Sequence, residues 1–300
     1  MKERLFINGA EGFTGLYLTD AALAAGWEVH AFVRGRHPWP ATAGLSIYRG
    51  DLLDVASLSS ALQQARPTKV AHLAAIAFVA TNDIESMYRV NVVGTRNLLH
   101  ALSQFYERPL ATMVVSSANI YGNRTSGALG ENAPFDPVND YAVSKVATEY
   151  VSALYHDQLP LIITRPFNYT GVGQSIDFLV PKIIDHVRRR APYIELGRID
   201  VERDFSDVRD VAARYLRLLS SSQALGRTFN ICSGRAYSLL HIVQTACDIA
   251  GHQMEIRVNP KFVRDADVKT LLGDATKLQS AIGPDSPRPL EETLRWMMVS

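Results

Sequence analysis

Near the amino terminus, the run Gly9-Ala10-Glu11-Gly12-Phe13-Thr14-Gly15 lies between a short apolar strand candidate, Arg4 to Asn8, and a helical stretch, Thr14 to Ala25, that Gly26 stops. Glycines at such a handover let the backbone turn tightly and bring its N–H groups and the helix N-terminus up to a pyrophosphate. Glu28 to Val33 reads as a second strand and completes a βαβ unit. The spacing is GxxGxxG, not the GxGxxG of the commonest dinucleotide fingerprint, so the βαβ setting carries as much of the argument as the glycines. Taken bare, the run is a glycine-rich βα turn.

The alternation continues. Ser46 to Tyr48, Val70 to Leu73, Ala111 to Ser116 and Leu161 to Arg165 read as strands, with helical patterns at Val55 to Gln64, Asp83 to Phe105 and Tyr141 to His156. Short continuous apolar strands alternating with helices predict an α/β fold, a Rossmann-type doubly wound parallel sheet covered on both faces. Beyond Pro166 the pattern changes: a helix from Ser175 to Arg190, a strand near Ile194, a helix from Asp207 to Ser221, a strand from Thr228 to Ile231 and a helix from Ser238 to Ala250. Residues 1–168 are therefore expected to form the dinucleotide-binding domain, rejoined by segments near 205–232. Residues 169–300 are expected to form mainly a smaller substrate-binding lobe.

Thirty-one basic against thirty acidic residues give a net charge of +1, leaving no bulk positive field to hold nucleic acid or an anionic membrane. An anionic ligand must be gripped locally. The longest apolar run, Leu73 to Ala80, is too short to span a bilayer, and the start MKERLFING carries no signal-peptide core, so a cytoplasmic setting is expected. Cys232 and Cys247 lack metal-ligand spacing and read as buried small apolar residues; no metal is expected.

An acid at the end of the second strand would hydrogen-bond an adenosine ribose and favour NAD. Here that end reads Val33-Arg34-Gly35-Arg36. A guanidinium can instead clamp a 2′-phosphate, so NADP(H) is the expected cofactor, with NAD(H) the weaker alternative. Both arginines could equally be solvated, because strand ends are exposed. With Phe13 and Thr14 of the glycine turn, Asp51 and Leu52 beyond the third strand are placed to meet the cofactor, the last two at its adenine rim, and Leu73-Ala74-Ala75 end the fourth strand with small residues where it could approach closely.

The fifth strand delivers Ser117-Ala118-Asn119-Ile120-Tyr121-Gly122 to the carboxyl edge of the sheet, where open α/β sheets bind ligands. Later comes Tyr141-Ala142-Val143-Ser144-Lys145, whose Tyr and Lys share a helix face. An ammonium and a nicotinamide cation nearby would lower the tyrosine pKa, letting Tyr141 exchange a proton with a substrate oxygen that Ser117 holds. Read alone, YxxxK is an accidental surface pair; joined to the glycine turn and the serine strand end in this order, it points to hydride-transfer chemistry.

In these features the whole chain resembles the extended short-chain dehydrogenase/reductase family. Within it, Arg165-Pro166-Phe167-Asn168-Tyr169-Thr170-Gly171-Val172-Gly173-Gln174 and Gly197-Arg198-Ile199-Asp200-Val201-Glu202-Arg203-Asp204-Phe205 look like the branch of GDP-mannose 4,6-dehydratases and GDP-6-deoxy-4-keto-mannose reductases. The resemblance implies that Ser117, Tyr141 and Lys145 form the catalytic triad, the latter two also touching the cofactor. It implies that Asn168 and Arg203 contact the nucleotide diphosphate, that Arg264 with Asp267 reaches the GDP ribose, and that Asn119 and Lys182 belong to the substrate site. Arg203 could instead pair with Asp204 or Asp207.

A 4,6-dehydratase needs an acid and a base directly after the catalytic Ser/Thr, where such relatives carry Asp and Glu; here Ala118 and Asn119 cannot trade a proton. The expected reaction is NAD(P)H-dependent reduction of the 4-keto group of a GDP-4-keto-6-deoxy-hexose, GDP-4-keto-6-deoxy-D-mannose to GDP-D-rhamnose. A reductase forming GDP-6-deoxy-D-talose, a nucleotide-sugar 4-epimerase and an inactive nucleotide-binding regulator are the other readings. Relatives dimerise through a helix pair matching Asp83 to Phe105 and Tyr141 to His156, so a homodimer with a four-helix interface is expected, although these apolar residues could equally be ordinary core.

Overall fold

The computed structural model describes residues 2–77, 83–122, 127–260 and 269–300. The elements run β1 (Arg4–Asn8), α1 (Phe13–Ala24), β2 (Glu28–Val33), β3 (Leu45–Arg49), α2 (Val55–Ala65), β4 (Lys69–His72), α3 (Ile84–Tyr88), a π-helical turn (Arg89–Gly94), α4 (Thr95–Ser103), β5 (Ala111–Val115), β6 (Ala128–Leu129), α5 (Asp140–Ala153), β7 (Leu161–Pro166) and β8 (Asn168–Thr170). There follow α6 (Leu179–Arg188), β9 (Tyr193–Leu196), β10 (Glu202–Asp207), α7 (Val208–Ser220), β11 (Arg227–Ile231), β12 (Ala236–Ser238), α8 (Leu239–Ala250), β13 (Glu255–Val258), β14 (Thr270–Gly273), α9 (Thr276–Ile282) and α10 (Leu290–Val299).

The main sheet has seven strands in the order β11-β7-β5-β4-β1-β2-β3, and every pairing in it is parallel. The chain leaves β1 in one direction for β2 and β3, then returns to its other side for β4 and β5, so a topological switch point falls between β1 and β4. Side chains alternate across a strand, and β1 uses both faces. Leu5 and Ile7 pack with Leu18 and Ala22 of α1 and Val211, Tyr215 and Leu218 of α7. Phe6 faces the opposite layer, against Leu58 and Leu62 of α2 and Leu98 and Leu102 of α4. Fully buried strands of this kind need helices on both sides, as the apolar runs predict.

Beyond β8 the chain returns to this sheet with α7 on the α1 face, β11 pairing β7, and α9, whose Leu278 and Ala281 join the same core. The rest builds a lobe with its own sheet, β12-β10-β14-β6, in which β8 also pairs β10. Its core joins Val180, Ile183 and Val187 of α6, Ile242 and Ala246 of α8, and Leu290, Leu294 and Met297 of α10. Cys232 and Cys247 are buried and unbridged, as expected.

Two expectations need correction. The single helix from Asp83 to Phe105 is interrupted by the π-helical turn and ends at Ser103. The cause is Asn91, whose amide leaves the helix surface to accept from Ile76 N (2.9 Å) and to donate to Ile76 O (3.2 Å) and Ser144 Oγ (2.9 Å). Its backbone carbonyl accepts from the hydroxyls of Thr95 (2.6 Å) and Thr148 (2.9 Å). An inserted residue that reroutes helical bonding in this way is the usual origin of a π-bulge. The helix expected from Ser175 starts at Leu179, because the Ser175 hydroxyl donates to the Asp177 carboxylate (2.8 Å) in a local turn that competes with helix formation. Among the described residues, no helix is long and apolar enough to cross a membrane.

Candidate active site

The glycine turn behaves as its position demands. Gly9 has φ +79, and a Cβ there would lie 2.7 Å from Ala74 N, because the chain leaving β4 bonds back to β1 through Leu73 N and Ala74 N on Asn8 O. At Gly15 a Cβ would lie 2.3 Å from Gly9 O, so the third glycine lets α1 close onto the turn. Gly12 differs: it is exposed, and a Cβ there would meet only Gly9 O, at 3.3 Å. Internal packing demands a glycine there less than at Gly9 or Gly15, which fits a ligand that comes close to the backbone from outside. The N-terminus of α1 supports the same fit. It begins at Gly12 with no side-chain cap, as α6, α9 and α10 also do, and this leaves its first N–H groups open to an anion.

Phe13 and Thr14 turn toward the lobe. The Phe13 ring stacks on Tyr169 (6.1 Å between centroids), and the Thr14 hydroxyl shares a 2.7 Å hydrogen bond with the Tyr169 hydroxyl. Arg34 and Arg36 are exposed at the end of β2, and their guanidiniums make no hydrogen bond or ion pair to another described residue. Asp51 spends one carboxylate oxygen on Leu53 N (2.8 Å). Leu52 is buried among the second core's side chains.

The serine strand end and the YxxxK helix meet at the carboxyl edge. Ser117, two residues beyond β5, is extended and accepts from Asn119 N (3.2 Å), which starts a tight 3₁₀ turn over Ala118–Tyr121. Asn139 caps α5 through Ala142 N (2.9 Å), fixing the first turn that carries Tyr141. Ser144 ties that turn to the π-bulge by donating to Tyr141 O (2.7 Å) while it accepts from Asn91. Tyr141, Ser117 and Lys145 are all buried. The Ser117 hydroxyl lies by the Tyr141 phenol and draws its pKa down, and the Lys145 ammonium donates to Val115 O (2.9 Å), 5.9 Å from the tyrosine ring centroid.

The electrostatics depart from the sequence expectation. Burial pushes the Tyr141 phenol well above its ordinary value; the Ser117 hydroxyl partly offsets this, and Tyr169 adds to the rise. Lys145, tied to the Val115 carbonyl and itself pulled down to about 8 by burial against the opposing charge of Glu149, does not bring the phenol below its ordinary value here. A protonated phenol beside a readily polarised hydroxyl is the form that donates a proton, which suits reduction of a carbonyl. Behind Lys145, His72 is held neutral, its pKa driven to about 3 by burial and by Lys145, and its Nε2 shares a 2.8 Å bond with the Thr95 hydroxyl.

A buried cluster braces this edge from behind. Arg165 donates from Nε and Nη2 to both Glu149 oxygens (2.9 and 2.7 Å) and from Nη1 to the Tyr121 hydroxyl (2.9 Å) and Glu131 O (2.8 Å). The Tyr121 hydroxyl then donates to Asn230 Oδ1 (2.7 Å). This network links α5, β7, β11 and the turn after Ser117.

The residues implied for the substrate lie partly together. Asn168 on β8 is registered with Phe205 on β10 and donates to Asp204 O (3.2 Å). Arg203, on the same strand β10, donates to Glu202 O (2.8 Å). Asp204 accepts from Ser233 and Gly234, and Asp207 binds Arg209 and Thr293. Asn119 is exposed beside Ser117, and Lys182 on α6 donates to Glu195 O (2.8 Å). Arg264 and Asp267 lie outside the described residues. Sequence reasoning missed Asn91, His72, Glu149 and Tyr169, none of which carries a local motif that marks its role. Among the described residues, no group of three or more His, Cys, Asp or Glu is disposed to hold a metal.

A parallel doubly wound sheet with a glycine turn at its switch side and Ser, Tyr and Lys gathered at its carboxyl edge defines an extended short-chain dehydrogenase/reductase, an NAD(P)-dependent enzyme class. More narrowly, the chain belongs to the family described as GDP-mannose 4,6 dehydratase, which matches residues 6–297. It is 38% identical to a GDP-6-deoxy-D-talose 4-dehydrogenase of Aggregatibacter actinomycetemcomitans over 78% of this chain and 80% of that one. It is 33% identical to a GDP-6-deoxy-D-mannose reductase of Pseudomonas aeruginosa, covering 98% of this chain and 96% of that one. Among solved structures, a Burkholderia cenocepacia J2315 protein provisionally described as an epimerase superposes with TM-score 0.91 at 48% identity, covering 99% and 97% of the two chains. RMD from Pseudomonas aeruginosa, complexed with NADPH, superposes with TM-score 0.85 at 32% identity over 99% and 98%.

Proposed function

We propose that this enzyme reduces the 4-keto group of a GDP-4-keto-6-deoxy-hexose with NAD(P)H, converting GDP-4-keto-6-deoxy-D-mannose to GDP-D-rhamnose. One observation carries the choice of reduction over dehydration: the buried Ser117–Tyr141 pair is followed by Ala118 and Asn119, so no acid or base follows Ser117 to remove a proton from C5 and protonate a departing C6 hydroxyl. Bound nicotinamide would supply the hydride to C4. Tyr141 gives its phenolic proton to the C4 oxygen, and Ser117 orients that oxygen through its hydroxyl. The ammonium of Lys145, held at Val115 O, lowers the cost of the phenolate left behind. Gly9, Gly12 and Gly15 with the start of α1 would hold the pyrophosphate, and the exposed Arg34 and Arg36 favour NADPH over NADH. Asn168 and Arg203, on neighbouring strands, would grip the nucleotide diphosphate.

The talo product is the second reading, favoured by the likeness to a GDP-6-deoxy-D-talose 4-dehydrogenase. It needs only that the other face of the ketone meets the hydride. NMR of the product formed from GDP-4-keto-6-deoxy-D-mannose separates the two, since they differ only in configuration at C4. Pairing of two copies through α3–α4 and α5 is also proposed. Val143 and Tyr150 of α5 and its C-cap Leu154 are 40%, 66% and 71% exposed and lie on one helix face. A monomeric mass in solution at micromolar protein would remove this element.

A further inference from the structure

The end of β2 lacks an acid in sequence, yet the structure brings one there from the glycine turn. Gly9 N donates to Phe32 O (3.3 Å), so the turn lies against the last residues of β2. Two residues on, the Glu11 carboxylate accepts from the backbone N–H of Arg34, the first residue beyond that strand, at 2.7 Å. Its other oxygen, Oε2, is buried and has no hydrogen-bond partner among the described residues. A carboxylate oxygen shielded from water without a donor is costly, and an ionised carboxylate can only accept. In dinucleotide folds this place belongs to the acid that meets the adenosine ribose. A ribose 2′-hydroxyl is a donor and satisfies the orphaned oxygen; a 2′-phosphate is an anion and is repelled by it.

We infer that Glu11 reads the adenosine ribose and holds the preference for NADPH over NADH well below what Arg34 and Arg36 would give alone. This rests on the nicotinamide-dinucleotide reading of the glycine turn and on nothing about the sugar. The chain then carries two opposed devices around one ribose. The guanidiniums at the end of β2 attract a phosphate, and the carboxylate from the turn accepts a hydroxyl, so both donors are usable.

The test is binary titration of the purified full chain, without sugar, by protein fluorescence with NADPH and with NADH. Glu11→Gln keeps an acceptor for the Arg34 N–H and removes the charge. It is expected to tighten NADPH and not NADH, moving the ratio of the two dissociation constants about tenfold toward NADPH, the scale of one charge-assisted hydrogen bond. Arg34→Ala should move the same ratio the opposite way. Should Glu11→Gln fail to fold, Glu11→Ser carries the test with the same expected direction. A ratio within about twofold of the parent in the folded variant, with both dinucleotides still bound, overturns the role of Glu11 while leaving the fold reading standing. A parent chain that binds neither dinucleotide overturns both.

Discussion

Replacing Tyr141 by Phe isolates the proton from the rest of the site. The ring sits 8% exposed against Lys145, and the substitution keeps that packing while deleting only the hydroxyl beside Ser117. Losing a positioned acid is expected to lower kcat by roughly 10²–10⁴-fold, equivalent to about 2.7–5.4 kcal/mol of barrier. The structural cost is smaller, because one buried hydrogen bond contributes about 0.5–1.5 kcal/mol and the burial that raises the phenol pKa also penalises its polar atom. KM for the nucleotide sugar should change little, since Asn168 and Arg203 are untouched. Stopped-flow loss of NADPH absorbance in a single turnover, on protein whose thermal unfolding matches the parent to a few degrees, reads the chemical step alone. A Tyr141→Phe enzyme with the parental single-turnover rate would refute the proton donation argued from this geometry.

The remaining expectations concern charge. Burial lowers Lys145 to about 8; below that pH it is the ammonium that steadies the Tyr141 phenolate, and above it the charge is lost, so kcat for ketone reduction should decline as pH rises past about 8. A pH–rate profile flat to well above 9 would contradict this. Glu149→Gln leaves Arg165 buried without its bidentate partner, the two side chains being 6% and 10% exposed, and should cost about 3–5 kcal/mol in urea unfolding; a loss below about 1 kcal/mol would show that the Tyr121 and Glu131 contacts hold Arg165 alone. Arg203→Ala should weaken GDP-sugar binding by about 1.5–3 kcal/mol in calorimetric titration while leaving single-turnover hydride transfer at saturation near parental. Unchanged affinity would remove Arg203 from the diphosphate site.

The dinucleotide half was legible because its signals are local. β1, β2, β5 and β7 are mostly apolar runs, and glycines and short polar turns separate them from the helices. Ser117, Tyr141 and Lys145 were legible for the same reason, since a strand end and an i, i+4 helix pair fix their places before any tertiary contact is known. The lobe was not. β10 reads Glu-Arg-Asp-Phe-Ser-Asp, a polar run that looks like a loop, and Asp204 is buried in it only because the backbone of Ser233 and Gly234 supplies donors from a distant segment. The short strands β6, β8, β12 and β14 exist through such non-local pairing. The π-bulge escaped because helical periodicity cannot register one extra residue held by Asn91. Glu11 escaped because its partner, Arg34 N, lies across the turn in space.

The central claim is keto reduction without dehydration, and one paired incubation tests it most directly. Freshly prepared GDP-4-keto-6-deoxy-D-mannose with NADPH, and GDP-mannose with NADP, are each given to the purified enzyme, and the products are identified by NMR. The account predicts that the ketone is consumed mole for mole with NADPH to give GDP-D-rhamnose, and that GDP-mannose is recovered unchanged. Accumulation of the 4-keto-6-deoxy sugar from GDP-mannose, with no oxidation of NADPH in the first tube, would contradict it.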